Sequence, residues 1–150
     1  MRKSGIIFII LLLLGAGFYL FVSKYEIQLG PLLWKFNKDK GGVHELTTNF
    51  LEDIQFKDFE KAATYHTKED QTSVNIPELI ERLFQIKPEF LDIMNFEVTN
   101  VDVDRSGERA RVKTHTTVKI LNTDEIKELD IIFYWHKQNG KWYMNLESSL

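Results

Sequence analysis

"RARVKTHTTVKI", Arg109 to Ile120, alternates with a period of two. Ala110, Val112, Thr114, Thr116, Val118 and Ile120 fall on one face. Arg109, Arg111, Lys113, His115, Thr117 and Lys119 fall on the other. Successive strand residues point to opposite sides of a sheet, so this is a strand with one apolar and one solvated face. The next run repeats the pattern. Leu129, Ile131, Phe133 and Trp135 face one way; Glu128, Asp130, Ile132, Tyr134 and His136 face the other. A turn at Thr123-Asp124 would pair Val118 with Leu129, Thr116 with Ile131, Thr114 with Phe133 and Val112 with Trp135, and set Lys119 opposite Glu128. A slip of one residue would oppose Val118 to Glu128, so the faces are strongly specified.

Both flanks extend the sheet. Asn139-Gly140 is a two-residue hairpin signal. It pairs Trp135 with Met144, Phe133 with Leu146, and His136 with Tyr143. On the other side, a Ser106-Gly107 turn pairs Val103 with Ala110 and Val101 with Val112. Phe96 and Val98 are out of phase with Val101 and Val103, which predicts a bulge near Thr99-Asn100 and a bent strand. Upstream the spacing is helical. Val43, Leu46, Phe50 and Ile54 make one stripe. Phe56, Phe59, Ala62, Ala63 and Tyr65 make a second, with Asp58 as N-cap. Asn75 caps a third helix with Pro77 in its first turn and Ile76, Leu79, Ile80, Leu83 and Phe84 buried, ending at Lys87-Pro88.

The first 24 residues differ in kind. Gly5 to Val22 contains no charge and reaches about 27 Å as a helix, close to the ~30 Å hydrocarbon core. A cleaved signal peptide would need small residues directly after the apolar run. Gly15-Ala16-Gly17 is followed by five more apolar residues instead, so an uncleaved anchor is expected. Arg2 and Lys3 place the short tail in the cytoplasm and the rest of the chain outside it. The implied order is a tail at 1–4, a transmembrane anchor at 5–22, a juxtamembrane linker at 23–42 with a hinge at Gly41-Gly42, and a domain at 43–150. The expected fold class is α+β: three N-terminal helices packed on a bent four-stranded antiparallel meander, preceded by one transmembrane helix.

Residues 25–150 carry 16 basic and 22 acidic side chains. That acidic balance speaks against nucleic acid as a partner. The absence of cysteine excludes disulfides, thiolate metal sites and a cysteine nucleophile. No phosphate loop, zinc motif or Ser-His-Asp spacing occurs. An acid or base working inside the helix–sheet layer must lie on the apolar face. Asp102, Asp104, Asp130, His115 and His136 all alternate outward. Tyr65 and His66 remain, the first read as a core aromatic with its hydroxyl at the rim, the second as a solvent-facing helix end. His66 and Asp70 lack a third metal ligand. No catalytic residue, metal or cofactor is therefore assigned.

Three helices followed by a bent meander resemble the nuclear transport factor 2-like superfamily, which includes scytalone dehydratase and ketosteroid isomerase relatives. The stretches that carry the resemblance are FKDFEKAATYHT (Phe56–Thr67), VDVDRSGERARVKTHTTVKI (Val101–Ile120) and IIFYWHKQNGKWYMNLE (Ile131–Glu147). The resemblance spans Val43 to Leu150 and implies a cone-shaped cavity between helices and sheet, and dimerisation through the outer sheet face. Phe133, Trp135 and Trp142 are read first as core. If the cone stays open, they line a pocket for a small apolar ligand together with Tyr65, His66, Thr114 and Thr116, whose hydroxyls need partners. Ile132, Tyr134, His136 and Tyr143 form a partly apolar outer patch ringed by Arg111, Lys113, Glu128 and Asp130, as an interface requires. The expected role is that of a membrane-presented, non-catalytic interaction or assembly domain, with a protein partner or homodimer. A ligand-binding cone and an isomerase- or dehydratase-like enzyme are the alternatives.

Overall fold

The computed structural model describes residues 37–145 and 147–149. Lys38–Leu150 form one compact unit. Residues 37–55 are helical (α1). The buried stripe is Asp39, Val43, Thr47, Phe50, Leu51, Asp53 and Ile54. Those spacings follow the 3.6-residue turn. Thr47 satisfies its buried hydroxyl locally by donating to the Val43 carbonyl at 2.9 Å. Gly41 and Gly42 lie inside α1, where a hinge was expected. Each glycine costs a helix about 1 kcal/mol relative to alanine, and the packed stripe on either side overrides it.

The helix stops at Lys57, which is left-handed at φ 59°. The Lys57 and Asp58 amides bond back to the Ile54 and Asp53 carbonyls at 3.0 and 2.8 Å, the paired closure of a Schellman end. The Lys57 ammonium then donates to the carbonyls of Pro88 and Leu91. A lysine is thus held where glycine is usual by its hold on the chain entering the sheet.

Three short helices follow. In α2 (Phe59–Ala63) the Asp58 side chain accepts from the Lys61 amide, as the sequence implies. In α3 (Lys68–Gln71) Thr67 is the cap. In α4 (Ile76–Phe84) Asn75 caps, Pro77 sits in the first turn, and Ile76, Leu79, Ile80 and Phe84 are buried. The expected fold class is corrected here on two points. Among the described residues four helical segments precede the sheet, not three. Thr67 and Asp70 exchange hydroxyl and amide bonds at 2.7 and 3.2 Å and nucleate a turn that no apolar stripe announces. Secondly, no helix among the described residues is long and apolar enough to cross a membrane. The segment 5–22, on which the sequence places the spanning helix, lies outside the described residues.

The sheet is a four-stranded antiparallel meander in the order β1 (Leu91–Val103), β2 (Arg109–Ile120), β3 (Glu125–Gln138) and β4 (Lys141–Asn145). Val103 meets Ala110 and Val101 meets Val112 as expected. The irregularity between Val98 and Asn100 is the expected bulge, and a second lies between Ile93 and Asn95. Asn139 and Gly140 are both left-handed, at φ 51° and 78°. They set Trp135 against Met144 and His136 against Tyr143. Leu146, the expected partner of Phe133, lies outside the described residues.

The β2–β3 register differs from expectation by two residues. Val112 meets Phe133, Thr114 meets Ile131, Thr116 meets Leu129, and Lys119 meets Ile126. The cause is the connection. Both favoured two-residue hairpin turns need positive φ at the first central position, and Thr123, which would stand there, is β-branched, which disfavours it. Only Asp124 is left-handed, at φ 57°. The loop therefore widens to four residues between Ile120 and Glu125, and Lys119 pairs with Asp124 at 2.7 Å. An even slip preserves the faces, so the apolar side is unchanged.

Phe50 meets Phe133 edge-on at a centroid distance of 5.7 Å and Tyr65 at the same distance, and Tyr65 meets Trp135 at 6.3 Å. These contacts seat α1 and the α2–α3 turn on the inner face. Along the exposed side of β4, the Met144 amide donates to the Tyr65 carbonyl at 2.8 Å.

Candidate functional site

The inner-face candidates are enclosed. Thr114, Thr116 and Phe133 are wholly buried and Trp135 is 2% exposed. Thr114 donates to the Ile131 carbonyl at 3.3 Å. The Thr116 hydroxyl and the Trp135 indole N–H meet no acceptor among the described residues. Tyr65 is half-buried, and its hydroxyl donates to Asp53 Oδ2 at 3.0 Å. The other Asp53 oxygen takes the Lys61 ammonium at 2.7 Å. Burial first, then the bond to Asp53, pushes the Tyr65 phenol well above its usual range. The bond to Asp53 is what fixes the Tyr65 hydroxyl as a donor.

His66 is buried, where a solvent-facing position was expected. The turn through Thr64 to Thr67 rotates it inward, beside Val74, Leu79 and Met144 in a pocket of about 280 Å³ that His136 also borders. Trp142 is half-buried, with the Lys137 ammonium 5.0 Å from its ring centre. That ammonium bonds Asp39 at 2.6 Å. Asp39 and Asp53 were not singled out from the sequence. The signal was present, because both fall in register with the apolar stripe of α1, where an acid must find a buried partner.

On the outer face the structure brings Ile132, Tyr134, His136 and Tyr143 together as expected. Ile132 is 41% exposed, and the other three are half-buried. The His136 and Tyr143 rings lie 6.1 Å apart at a 34° tilt. Beside them runs a groove of about 610 Å³, lined by Asp102, Arg109, Arg111, Tyr134, His136 and Ser148 among others. A 3-10 turn at Glu147–Ser149 folds back along β3, where the Tyr134 amide donates to Ser149 Oγ at 3.3 Å. It supplies one wall of the groove. Sequence alternation identified the aromatic patch but not this wall, since three residues at a chain end carry no period.

Further along the same face the charges pair across strands. Arg111 meets Asp102 at 2.6 Å and Lys113 meets Asp130 at 3.2 Å. His115 Nδ1 lies 2.9 Å from Asp130, with Glu128 at 3.8 Å from Nε2. The Asp130 hydrogen bond, helped by Glu128 and by Glu97 on β1, raises the His115 pKa above the ordinary 6.5. A raised folded-state pKa contributes stability that is complete below the unfolded value and is lost as pH rises through the folded one. The melting temperature is therefore expected to fall as pH climbs past 6.5. The fall should be smaller in His115→Gln, and melting curves at stepped pH that coincide for the two proteins would refute this.

Among the described residues, no three metal-binding side chains come together. No protein-family model matches the chain, and no curated protein matches it. Among solved structures, one similar chain is the solution structure of a SEC-C motif containing protein from Rhodopseudomonas palustris, at 16% identity and a TM-score of 0.49. The match covers 63% of this chain and 68% of that one. A likeness of that size carries neither fold nor function to this chain.

Proposed function

We propose that the domain is a non-catalytic interaction module whose working surface is the outer sheet face around Tyr134 and Tyr143. The observation that carries this is the contrast between the two faces. Inside, the aromatics are packed edge to edge, and the acid closest to them, Asp53, is committed to Tyr65 and Lys61. Outside, Tyr134 and His136 border an open groove edged by both signs of charge, with Tyr143 and the exposed Ile132 on the same face. Aromatics set in a polar rim are the composition of protein interfaces. The partner is a protein, a second copy of the chain included, since a face with paired opposite charges can match itself about a twofold axis.

Tyr134→Asp places a charge at the centre of this surface without touching the inner core. It is expected to weaken association at least a hundredfold, read by sedimentation of the full-length chain, alone and with co-purifying protein, while the far-ultraviolet spectrum is unchanged. Unaltered association in both Tyr134→Asp and Tyr143→Asp would sink the proposal.

A further inference from the structure

We infer that the free edge of β1, from Phe96 to Val103, pairs antiparallel with the same stretch of a second copy of the chain, about a twofold axis at the Thr99 bulge. This goes beyond the outer-face reading and does not rest on it. Hydrogen-bond phase carries it. In an antiparallel pair, residues that exchange both backbone bonds with the neighbouring strand alternate with residues that direct both away from it. The Asp104 amide donates to the Arg109 carbonyl at 2.9 Å, and at the far end of the pair the Leu121 amide donates to the Phe90 carbonyl at 2.9 Å. Those two bonds fix the phase. Val103 and Val101, opposite Ala110 and Val112, turn their amides and carbonyls outward, and so do Val98 and Phe96, opposite Thr114 and Thr116. Leu91 and Ile93 point the same way, but their carbonyls are taken by the Lys57 ammonium and the Gln55 side-chain amide. Among the described residues no hydrogen-bond partner meets the outward groups of the other four.

The bulge selects the occupant. A regular strand offers outward groups at every second residue, whereas Val98 and Val101 are three apart, with the extra residue between them. A regular strand in step with Phe96 and Val98 is therefore out of step with Val101 and Val103. A strand interrupted in the same way at the same place stays in step throughout, and β1 of a second copy is such a strand. About the twofold, Phe96 of one copy meets Val103 of the other and Val98 meets Val101, each pair exchanging both of its bonds. These four side chains are half-buried and packed against the core, so the pairing covers apolar surface on the inner side. Leu91 and Ile93 fall beyond the end of the other strand, and their bonds to α1 are undisturbed. On the outer side Glu97 of one copy faces Asp102 of the other. Like charges across a strand pair weaken it. Asp102 is offset by Arg111 at 2.6 Å, which leaves Glu97 as the residue that limits the affinity.

The test is amide hydrogen exchange of the isotope-labelled full-length chain, read residue by residue in concentrated solution and after about hundredfold dilution. The amides of Phe96, Val98, Val101 and Val103 should be protected in the concentrated sample and exchange freely on dilution. Those of Glu97 and Asp102, in phase to bond β2, should stay protected in both. Glu97→Lys turns repulsion into attraction at both symmetric contacts and should tighten association about tenfold. Val101→Pro removes one outward amide and no bond to β2, and should abolish the concentration-dependent protection of the other three. Tyr134→Asp, on the outer face of β3, should leave that protection unchanged. Free exchange of all four amides at the highest concentration overturns the inference. So does protection that survives Val101→Pro or is lost in Tyr134→Asp, and so does association no tighter in Glu97→Lys.

Discussion

Phe133→Ala is expected to lower the melting temperature by about 15 °C. The ring is wholly buried and meets Phe50 edge-on at 5.7 Å. Truncating a buried phenylalanine removes its transfer free energy and leaves a cavity, together about 3–5 kcal/mol. A domain of this size holds about 5–15 kcal/mol in total, and each kilocalorie moves its midpoint by about 4 °C. The matched control is one residue away. Ile132 lies on the same strand but is 41% exposed on the opposite face, so Ile132→Ala should stay within about 0.5 kcal/mol of the parent. Calorimetry of the two variants reads the faces of β3 directly. Equal melting temperatures would mean that the assignment of inner and outer sides is wrong.

The second large effect concerns a pair 98 positions apart in the chain. Asp39, near the start of the described part of α1, and Lys137, near the end of β3, meet at 2.6 Å with side-chain exposures of only 11% and 18%. The second Asp39 oxygen is buried and has no hydrogen-bond donor among the described residues. Removing the ammonium leaves that carboxylate buried without its counter-charge. Lys137→Met should therefore cost about 3–5 kcal/mol, far more than an exposed pair would. Asp39→Leu combined with Lys137→Met should recover most of the loss, because a buried ion pair replaced by apolar side chains is often neutral. Urea midpoints with an unchanged slope would report it. Additive losses in the double variant would show that the two side chains act independently.

How far these features could be read in advance depends on their range. The faces of β2 and β3 follow from alternation alone, as do the Asn139-Gly140 turn and the Thr99-Asn100 bulge, because each is decided within about ten residues. The β2–β3 register was not legible to the same degree. It rests on whether Thr123 can enter the left-handed region, which side-chain periodicity does not encode. Thr67–Asp70 hid for a similar reason, since a four-residue helix has no stripe. The outer patch of Ile132, Tyr134, His136 and Tyr143 was visible as residues on one face. The groove beside it was not, because its wall returns from beyond β4. His66 was misjudged because its orientation is set by a turn whose geometry depends on Gln71, which donates to the His66 carbonyl at 2.8 Å.

The bond between the Met144 amide and the Tyr65 carbonyl bears on how copies of this protein could accumulate. A chain reaction of sheet upon sheet requires every molecule to offer two receptive margins, one to join and one to be joined. Here the β4 margin is stoppered at its fourth residue by the molecule's own α2–α3 turn. On β1 the Leu91 and Ile93 carbonyls likewise accept from the Lys57 ammonium and the Gln55 side-chain amide, at 2.9 and 2.6 Å. The turn that orients Tyr65 in this sense works as a chain terminator, since it occupies the β4 position at which an added strand would pair.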